Sequence, residues 1–149
     1  MVHIEKVKPE GEILETLLKL SEDWTREGIT HGYIPNKPED VTEPCLVARI
    51  DGGIAGYAFG HYYNKETRNS FIEPGVRCFE LDELYVVPEH RSAGVGALLF
   101  RAMEEEVRDA EFMTLNAATK DWRKILGFYA DKMDMVFHSA HMIKPLGKK

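Results

Sequence analysis

The sequence predicts a single α/β domain, residues 1–149, built on one mixed sheet with helices on both faces. Segments typical of strands and helices follow one another in the order β-α-β-β-β-α-β-α-β along 149 residues, a length typical of one domain. A hairpin signal in the first half indicates antiparallel pairing, and a strand-helix-strand order in the second half indicates parallel pairing. The composition is that of a globular protein, with 44% hydrophobic and 30% charged residues.

The first half of the chain is predicted to contain one helix and three strands. Apolar residues recur at helical spacing until Gly28, which is a common helix terminator. Asp51-Gly52-Gly53 is a strong hairpin signal between two β-type runs. The predicted elements are a strand at 2–7, a helix at 9–27, a loop at 28–44, and strands at 45–50 and 54–60.

The second half is predicted to add a strand-helix-strand crossover. Its first helix carries Leu99, Met103 and Val107 on one stripe, which indicates an inner face. The predicted elements are a polar connection at 64–75, a strand at 76–87, a helix from the following loop to about 110, a strand at 112–117, a helix at 122–133 and a final strand region at 135–143.

Composition argues against several classes of protein. The net charge of −6 does not provide the basic surface of a nucleic-acid binder. No apolar run has the length of a membrane span, and the N-terminal residues lack the layout of a signal peptide. Two cysteines, Cys45 and Cys78, make no disulfide framework and are expected to be small buried residues. A reduced, cytoplasmic setting is therefore expected.

A loop reading Arg-x-x-Gly-x-Gly, residues 91–96, follows the strand at 76–87 and opens directly into a helix. Backbone amides at a helix start have no partner inside the helix, and the helix dipole adds positive charge there. Glycines let another molecule approach the backbone closely. Together these features are typical of a seat for a phosphate or pyrophosphate group.

Two nucleotide motifs fit this loop poorly. A P-loop requires lysine and a hydroxyl residue after its last glycine, and neither follows Gly96. A dinucleotide fingerprint requires a third glycine where Leu99 stands. Two glycines at a helix start also occur without any ligand, so the loop alone leaves the cofactor undecided.

Residues 82–99 closely resemble the cofactor-binding motif of the GNAT N-acetyltransferase superfamily, in which Gln/Arg-x-x-Gly-x-Gly/Ala follows a strand. Residues 126–135, with the pair Phe128-Tyr129, resemble the family's second motif, and the order of elements matches as well. Asp134-Met135 stands where many members have Gly-Phe, and Trp122 where many have Asn. The resemblance implies the GNAT fold, with a splayed pair of parallel strands, and acetyl-CoA as cofactor.

The resemblance also implies where the cofactor binds. Main-chain groups of the strand end would pair with the amides of pantetheine, as an added strand does. Asn116 would hold the same arm from the next strand, although an Asn there is also a common turn residue. The implied cofactor residues are Val86 and Val87 for pantetheine, Arg91, Ser92, Ala93, Gly94, Val95 and Gly96 for the pyrophosphate, and Asn116.

Transfer to an amine requires a proton acceptor, because an alkylamine with a pKa near ~10.4 is only about 0.04% neutral at pH 7. Asp82 and Glu83 are the candidates; as strand neighbours they are expected to point to opposite faces. Leu81-Asp82-Glu83 resembles the pattern of polyamine acetyltransferases, which favours Asp82, and a water relay is the alternative. Tyr129 lies on an apolar helix stripe, but the resemblance implies that it is the general acid.

The expected function is transfer of an acetyl group from acetyl-CoA to a primary amine in a ternary complex. A small cationic amine is favoured as acceptor; a protein α-amine or lysine, or a non-catalytic acyl-CoA sensor, are the alternatives. The family resemblance is compatible with a homodimer that forms through the last strands. His138 and His141 fall on opposite strand faces and no other pair has ligand spacing, so no metal site is expected.

Overall fold

Five strands form one sheet in the order β1-β2-β3-β4-β5 in the computed structural model, which describes residues 1–147. Neighbouring strands are antiparallel except for β4 and β5, which are parallel. This confirms the predicted mixed sheet. The elements are β1 (Val2–Val7), α1 (Gly11–Glu27), β2 (Cys45–Ile50), β3 (Gly53–Asn64), β4 (Arg77–Val86), α2 (Val95–Glu106), β5 (Phe112–Thr114) and α3 (Trp122–Leu126), with a π-helical turn at Gly127–Lys132.

Helices cover both faces of the sheet, as predicted. Alternate residues of β2 point to opposite sides, so Val47 packs with α1 and Leu46 packs with α2. α1 contributes Leu17 to the first cluster, and α2 contributes Leu99 and Met103 to the second. All five of these side chains are buried.

β3 is longer than the predicted 54–60, because the glycine at its expected end does not end it. The register of β3 against β4 shifts between Phe59 and Gly60, where one extra residue of β4 forms a β-bulge. A Cβ on Gly60 would lie 2.0 Å from the carbonyl oxygen of Glu80. Glycine is therefore required here for the close approach of two backbones.

β4 and β5 separate soon after they meet. Their pairing is Cys78 with Phe112, Phe79 with Met113 and Glu80 with Thr114. Within residues 1–147, the stretch 81–86 of β4 has no strand on its β5 side. The chain therefore leaves a strand edge open in the wedge between β4 and β5, which confirms the splayed parallel pair.

The predicted strand at 135–143 is wrong. In the described part of the chain these residues form no strand, and Val136, Met142 and Ile143 are 69%, 88% and 81% exposed. Alternating apolar residues make a strand only when they pair with an edge, and the edge strand that precedes this segment in the chain, β5, has three residues. The segment instead contacts the connection before β4, where His138 Nε2 lies 2.9 Å from the Ser70 hydroxyl.

Cys45 and Cys78 are buried and unoxidised, as expected. Among residues 1–147 no helix has both the length and the apolar character that crossing a membrane would require.

Candidate active site

The loop after β4 turns its backbone into a seat for an anion. Ser92 and Gly94 have positive φ values of 67° and 84°, and Gly94 directly precedes α2. Among the described residues no side chain caps this helix start. The amides of the first turn, from Val95 onward, are therefore left for an external acceptor. The uncapped helix start is the one predicted from the sequence, and phosphate binding there stays a prediction.

Arg91 does not extend its side chain toward this seat. Its two terminal nitrogens donate to the carboxylate of Glu27 at 2.5 and 2.9 Å, and its Nε donates to the carbonyl of Val86 at 2.8 Å. Tyr85 also donates to Glu27, at 2.8 Å. Burial would raise the pKa of Glu27, but the hydrogen bonds from Arg91 and Tyr85 outweigh it and hold that pKa below its usual range. Arg91 thus ties the loop to the end of α1.

The two valines predicted to meet pantetheine face different ways. The Val87 amide donates to Ala55 of β3 at 2.9 Å, and its carbonyl accepts from His90 at 3.0 Å. Because successive residues of a strand alternate, the main chain of Val86 faces the open edge. Leu84 has the same orientation two residues earlier, and sequence reasoning missed it. Leu84 therefore presents its main chain to the wedge, and so does the amide of Val86, whose carbonyl already accepts the hydrogen bond from Arg91.

Phe128 lies beside the start of α2, and Tyr129 packs next to it. A Cβ on Gly96 would lie 3.6 Å from Phe128 and 3.7 Å from Leu84, so β4, α2 and the π-helical turn converge there. Tyr129 packs against the rings of Phe128 and Phe100. Burial raises the pKa of its phenol to about 12, so it is protonated at neutral pH.

Asn116, the residue predicted to face the cofactor from the next strand, is exposed two residues beyond the end of β5. It therefore lies at the far end of the strand that forms the second side of the wedge.

Asp82 and Glu83 point to the same face of the sheet, so the expectation of opposite faces is wrong. The bulge interrupts the alternation at this point. Oε1 of Glu83 accepts hydrogen bonds from Tyr57 at 2.8 Å, Asn36 at 2.9 Å and Tyr33 at 3.1 Å. Burial raises the pKa of Glu83, and these three hydrogen bonds oppose it only in part.

A second polar group lies on the same face of β4. Nδ1 of His61, on β3, is 2.8 Å from Oδ2 of Asp82, and Glu80 is the cross-strand neighbour of His61. The ligand-type atoms of these three residues lie within 4.8 Å of one another. Sequence spacing could not reveal this group, because the register of β3 against β4 brings it together. Burial and the neighbouring Asp82 raise the pKa of Glu80.

The site therefore has two sides that share β4. One side holds an uncapped helix start and an open strand edge, which suit a long ligand with a phosphate group and amides. The other side holds the three carboxylates of Glu80, Asp82 and Glu83, which suit a cation.

The sequence and the fold were compared with those of known proteins. A family model, the acetyltransferase (GNAT) family, matches residues 13–131. No curated protein matches the sequence.

Solved structures share the fold at low sequence identity. An aminoglycoside acetyltransferase from an uncultured soil metagenomic sample is 19% identical, with a TM-score of 0.71 over 99% of both chains. A ribosomal-protein-alanine N-acetyltransferase from Brucella melitensis is 22% identical, with a TM-score of 0.58 over 97% of this chain and 99% of the other. A second metagenomic aminoglycoside acetyltransferase, in complex with sisomicin, is 14% identical, with a TM-score of 0.65 over 97% and 96%. These similarities show the fold, and the family match shows that this chain belongs to the GNAT acetyltransferase family.

Proposed function

We propose that this protein transfers the acetyl group of acetyl-CoA to a primary amine of a small cationic acceptor. The observation that carries the proposal is the position of β4, which has the open wedge along its edge and three carboxylates on its α1-side face. A donor and an acceptor that bind these two sides would meet at one strand.

The residues present fit acetyl-CoA. The first amides of α2 and the left-handed turn at Ser92 and Gly94 form a concave set of donors for the pyrophosphate. The main chain of Leu84 and the amide of Val86 line the open edge and would pair with the amides of pantetheine, while the Val86 carbonyl accepts from Arg91. Asn116 is proposed to hold the arm from the other side. When bound, acetyl-CoA supplies an activated carbonyl carbon and a thiolate leaving group.

Tyr129 is proposed as the general acid. Burial raises the pKa of its phenol to about 12, so the hydroxyl is protonated at neutral pH, and its ring packs against Phe128, the residue of the turn that lies next to Gly96. A protonated phenol at this place can give its proton to the departing thiolate.

The two candidate proton acceptors, Asp82 and Glu83, differ in how many hydrogen bonds their carboxylates already accept. Oε1 of Glu83 is already used by three donors, two of which come from the loop at 28–44. Glu83 is therefore proposed to position that loop beside the acceptor. Asp82 is hydrogen-bonded to His61 and lies beside Glu80, and its side chain is 26% exposed. We propose that the group formed by Asp82 and His61, and not Glu83, removes the proton.

The acidic face favours acceptors with more than one positive charge. A second ammonium group within reach of Glu80 or Asp82 gains attraction that a monoamine lacks. Aminoglycosides, the substrates named for two similar structures, and linear polyamines both carry several amines.

An assay of CoA release with an amine panel tests this function. The panel compares a linear diamine with the monoamine of equal length, an aminoglycoside, and a peptide with an N-terminal alanine; mass spectrometry identifies the product. We expect acetylated diamine or aminoglycoside, a lower KM for the diamine than for the monoamine, and weaker discrimination at high salt.

Two results would contradict the proposal. Preferred acetylation of the peptide would assign the protein to α-amine transfer instead. Tight CoA binding by calorimetry without turnover of any amine would assign it to acyl-CoA sensing.

A further inference from the structure

We propose that His61 accepts the proton of the acceptor ammonium, and that Asp82 is its positioning residue rather than the base itself. The inference rests on the proposed function and adds a residue that no sequence motif identifies. It starts from the hydrogen bond of 2.8 Å between Nδ1 of His61 and Oδ2 of Asp82.

This hydrogen bond fixes which ring nitrogen carries the proton. An ionised carboxylate can only accept, so the proton of a neutral His61 lies on Nδ1. Nε2 then has a lone pair, and among residues 1–147 it has no hydrogen-bond partner. A carboxylate that orients an imidazole in this way also stabilises the imidazolium that forms when Nε2 takes up a proton.

His61 lies close to the point where the wedge opens. Its cross-strand neighbour Glu80 is also the last residue of β4 that pairs with β5. Side chains of β3 on this face reach that far, because the Tyr63 hydroxyl is 2.8 Å from the Thr114 hydroxyl of β5. His61 is the next residue of β3 on the same face, with its ring centroid 6.0 Å from that of Tyr63.

The surroundings of His61 are acidic and open. Among the described residues, the titratable groups that face it are Asp82 and Glu80 on β4 and Tyr63 on its own strand. Its side chain is 46% exposed. An ammonium can therefore reach Nε2 from solvent while the two carboxylates attract it.

The transfer balances with these groups. The ammonium gives one proton to Nε2 of His61, which passes it to water. The nitrogen of the amine forms a bond to the acetyl carbon as the carbon–sulfur bond breaks. Tyr129 gives its proton to the leaving thiolate and recovers one from the nitrogen as the amide forms.

The test compares two small acceptors that differ in basicity. One is an alkylamine, protonated at pH 7, and the other is an alkoxyamine of similar size, neutral at that pH. We expect His61→Gln to lower kcat for the alkylamine by about 10²-fold, the lower end of general-base effects, and to change kcat for the alkoxyamine less than about tenfold. CoA affinity is expected to stay unchanged, as is activity in the control His3→Gln, an exposed histidine on β1.

NMR of the histidine rings gives a readout that needs no ligand. With ¹⁵N-labelled histidine, the neutral ring of His61 should show its proton on Nδ1, and Asp82→Asn should shift the proton toward Nε2. A proton on Nε2 in the wild type, or no change in Asp82→Asn, would overturn the positioning role.

The remaining outcomes separate this inference from the proposed function. If His61→Gln lowers kcat equally for both acceptors, His61 has a structural role and this inference alone is overturned. The variant His61→Asn should show the same larger loss for the alkylamine than for the alkoxyamine. Loss of wild-type activity on treatment with EDTA would assign the group of His61, Glu80 and Asp82 to a cation, and would also overturn it. A wild type that binds CoA but acetylates no amine would overturn both proposals.

Discussion

Arg91 and Glu27 form a two-pronged ion pair that joins the loop at 91–96 to the last turn of α1. Residues 28–44, which carry Tyr33 and Asn36 to Glu83, begin at the next residue. The same ion pair thus anchors both the loop at 91–96 and the start of the segment that contacts Glu83.

We expect Glu27→Gln to weaken both folding and CoA binding. Hydrogen bonds to charged groups contribute roughly 1.5–3 kcal/mol each, and partial exposure reduces this, so we expect a loss of about 1–2 kcal/mol. Chemical denaturation and calorimetric titration with CoA measure the two effects. Glu15→Gln, an exposed residue of the same helix, is the control. Unchanged CoA affinity would show that Arg91 does not set the loop geometry.

The contribution of Glu27 to stability should depend on pH in one direction. Because the folded pKa of Glu27 lies below its usual range, its stabilising effect is present above the ordinary pKa and disappears as pH falls through the lowered one. The unfolding free energies of the wild type and Glu27→Gln should therefore converge toward acid pH. A difference that stays constant down to pH 3 would contradict the assigned ion pair.

Substitution of the two glycines of the loop, Gly94 and Gly96, should affect stability differently. Gly94 has φ of 84°, where a side chain costs roughly 1–2 kcal/mol, so Gly94→Ala should destabilise the fold by about that amount. A Cβ on Gly96 would be 3.6 Å or more from its neighbours, an ordinary contact. Gly96→Ala should leave stability within about 0.5 kcal/mol of the wild type. Thermal unfolding with and without CoA distinguishes them; equal destabilisation by both changes would contradict this account.

Tyr129→Phe should lower kcat by about 10²-fold or more, since general-acid groups contribute on that scale, with little change in CoA affinity. The ring packing is retained, so the loss reports the hydroxyl. Tyr62→Phe, which removes the hydroxyl that donates to Asp109 away from the wedge, is the matched control. An unchanged kcat would remove Tyr129 from the acid role.

Glu83→Gln should change the slope of stability against pH. Burial raises the folded pKa of Glu83, so its contribution favours folding at low pH and is lost as pH rises through that raised value. The stability of Glu83→Gln relative to the wild type should therefore rise from acid to neutral pH. Denaturation at several pH values measures this, with Glu15→Gln as the charge control. If the stability of Glu83→Gln relative to the wild type fell as pH rises, the pKa of Glu83 would be lowered in the folded protein and not raised.

The parts of the site that depend on local sequence were predictable. The loop at 91–96 and its helix start combine short-range signals, and the structure has them at those residues. The group of His61, Glu80 and Asp82 was not predictable, because the register of two strands and a bulge at a glycine decide which residues meet. The strand expected at 135–143 is absent for a related reason, since a strand pattern does not show whether the segment will pair with an edge of the sheet.

The bulge in β4 also bears on how such a site can arise. Phe59 pairs with Glu83 and Gly60 with Leu81, so Asp82 is the one residue of β4 that has no partner on β3. A chain lacking Asp82 could keep every other pairing of β3 with β4. A single inserted codon can thus add a carboxylate to this face of β4 while the wedge and the core keep their register.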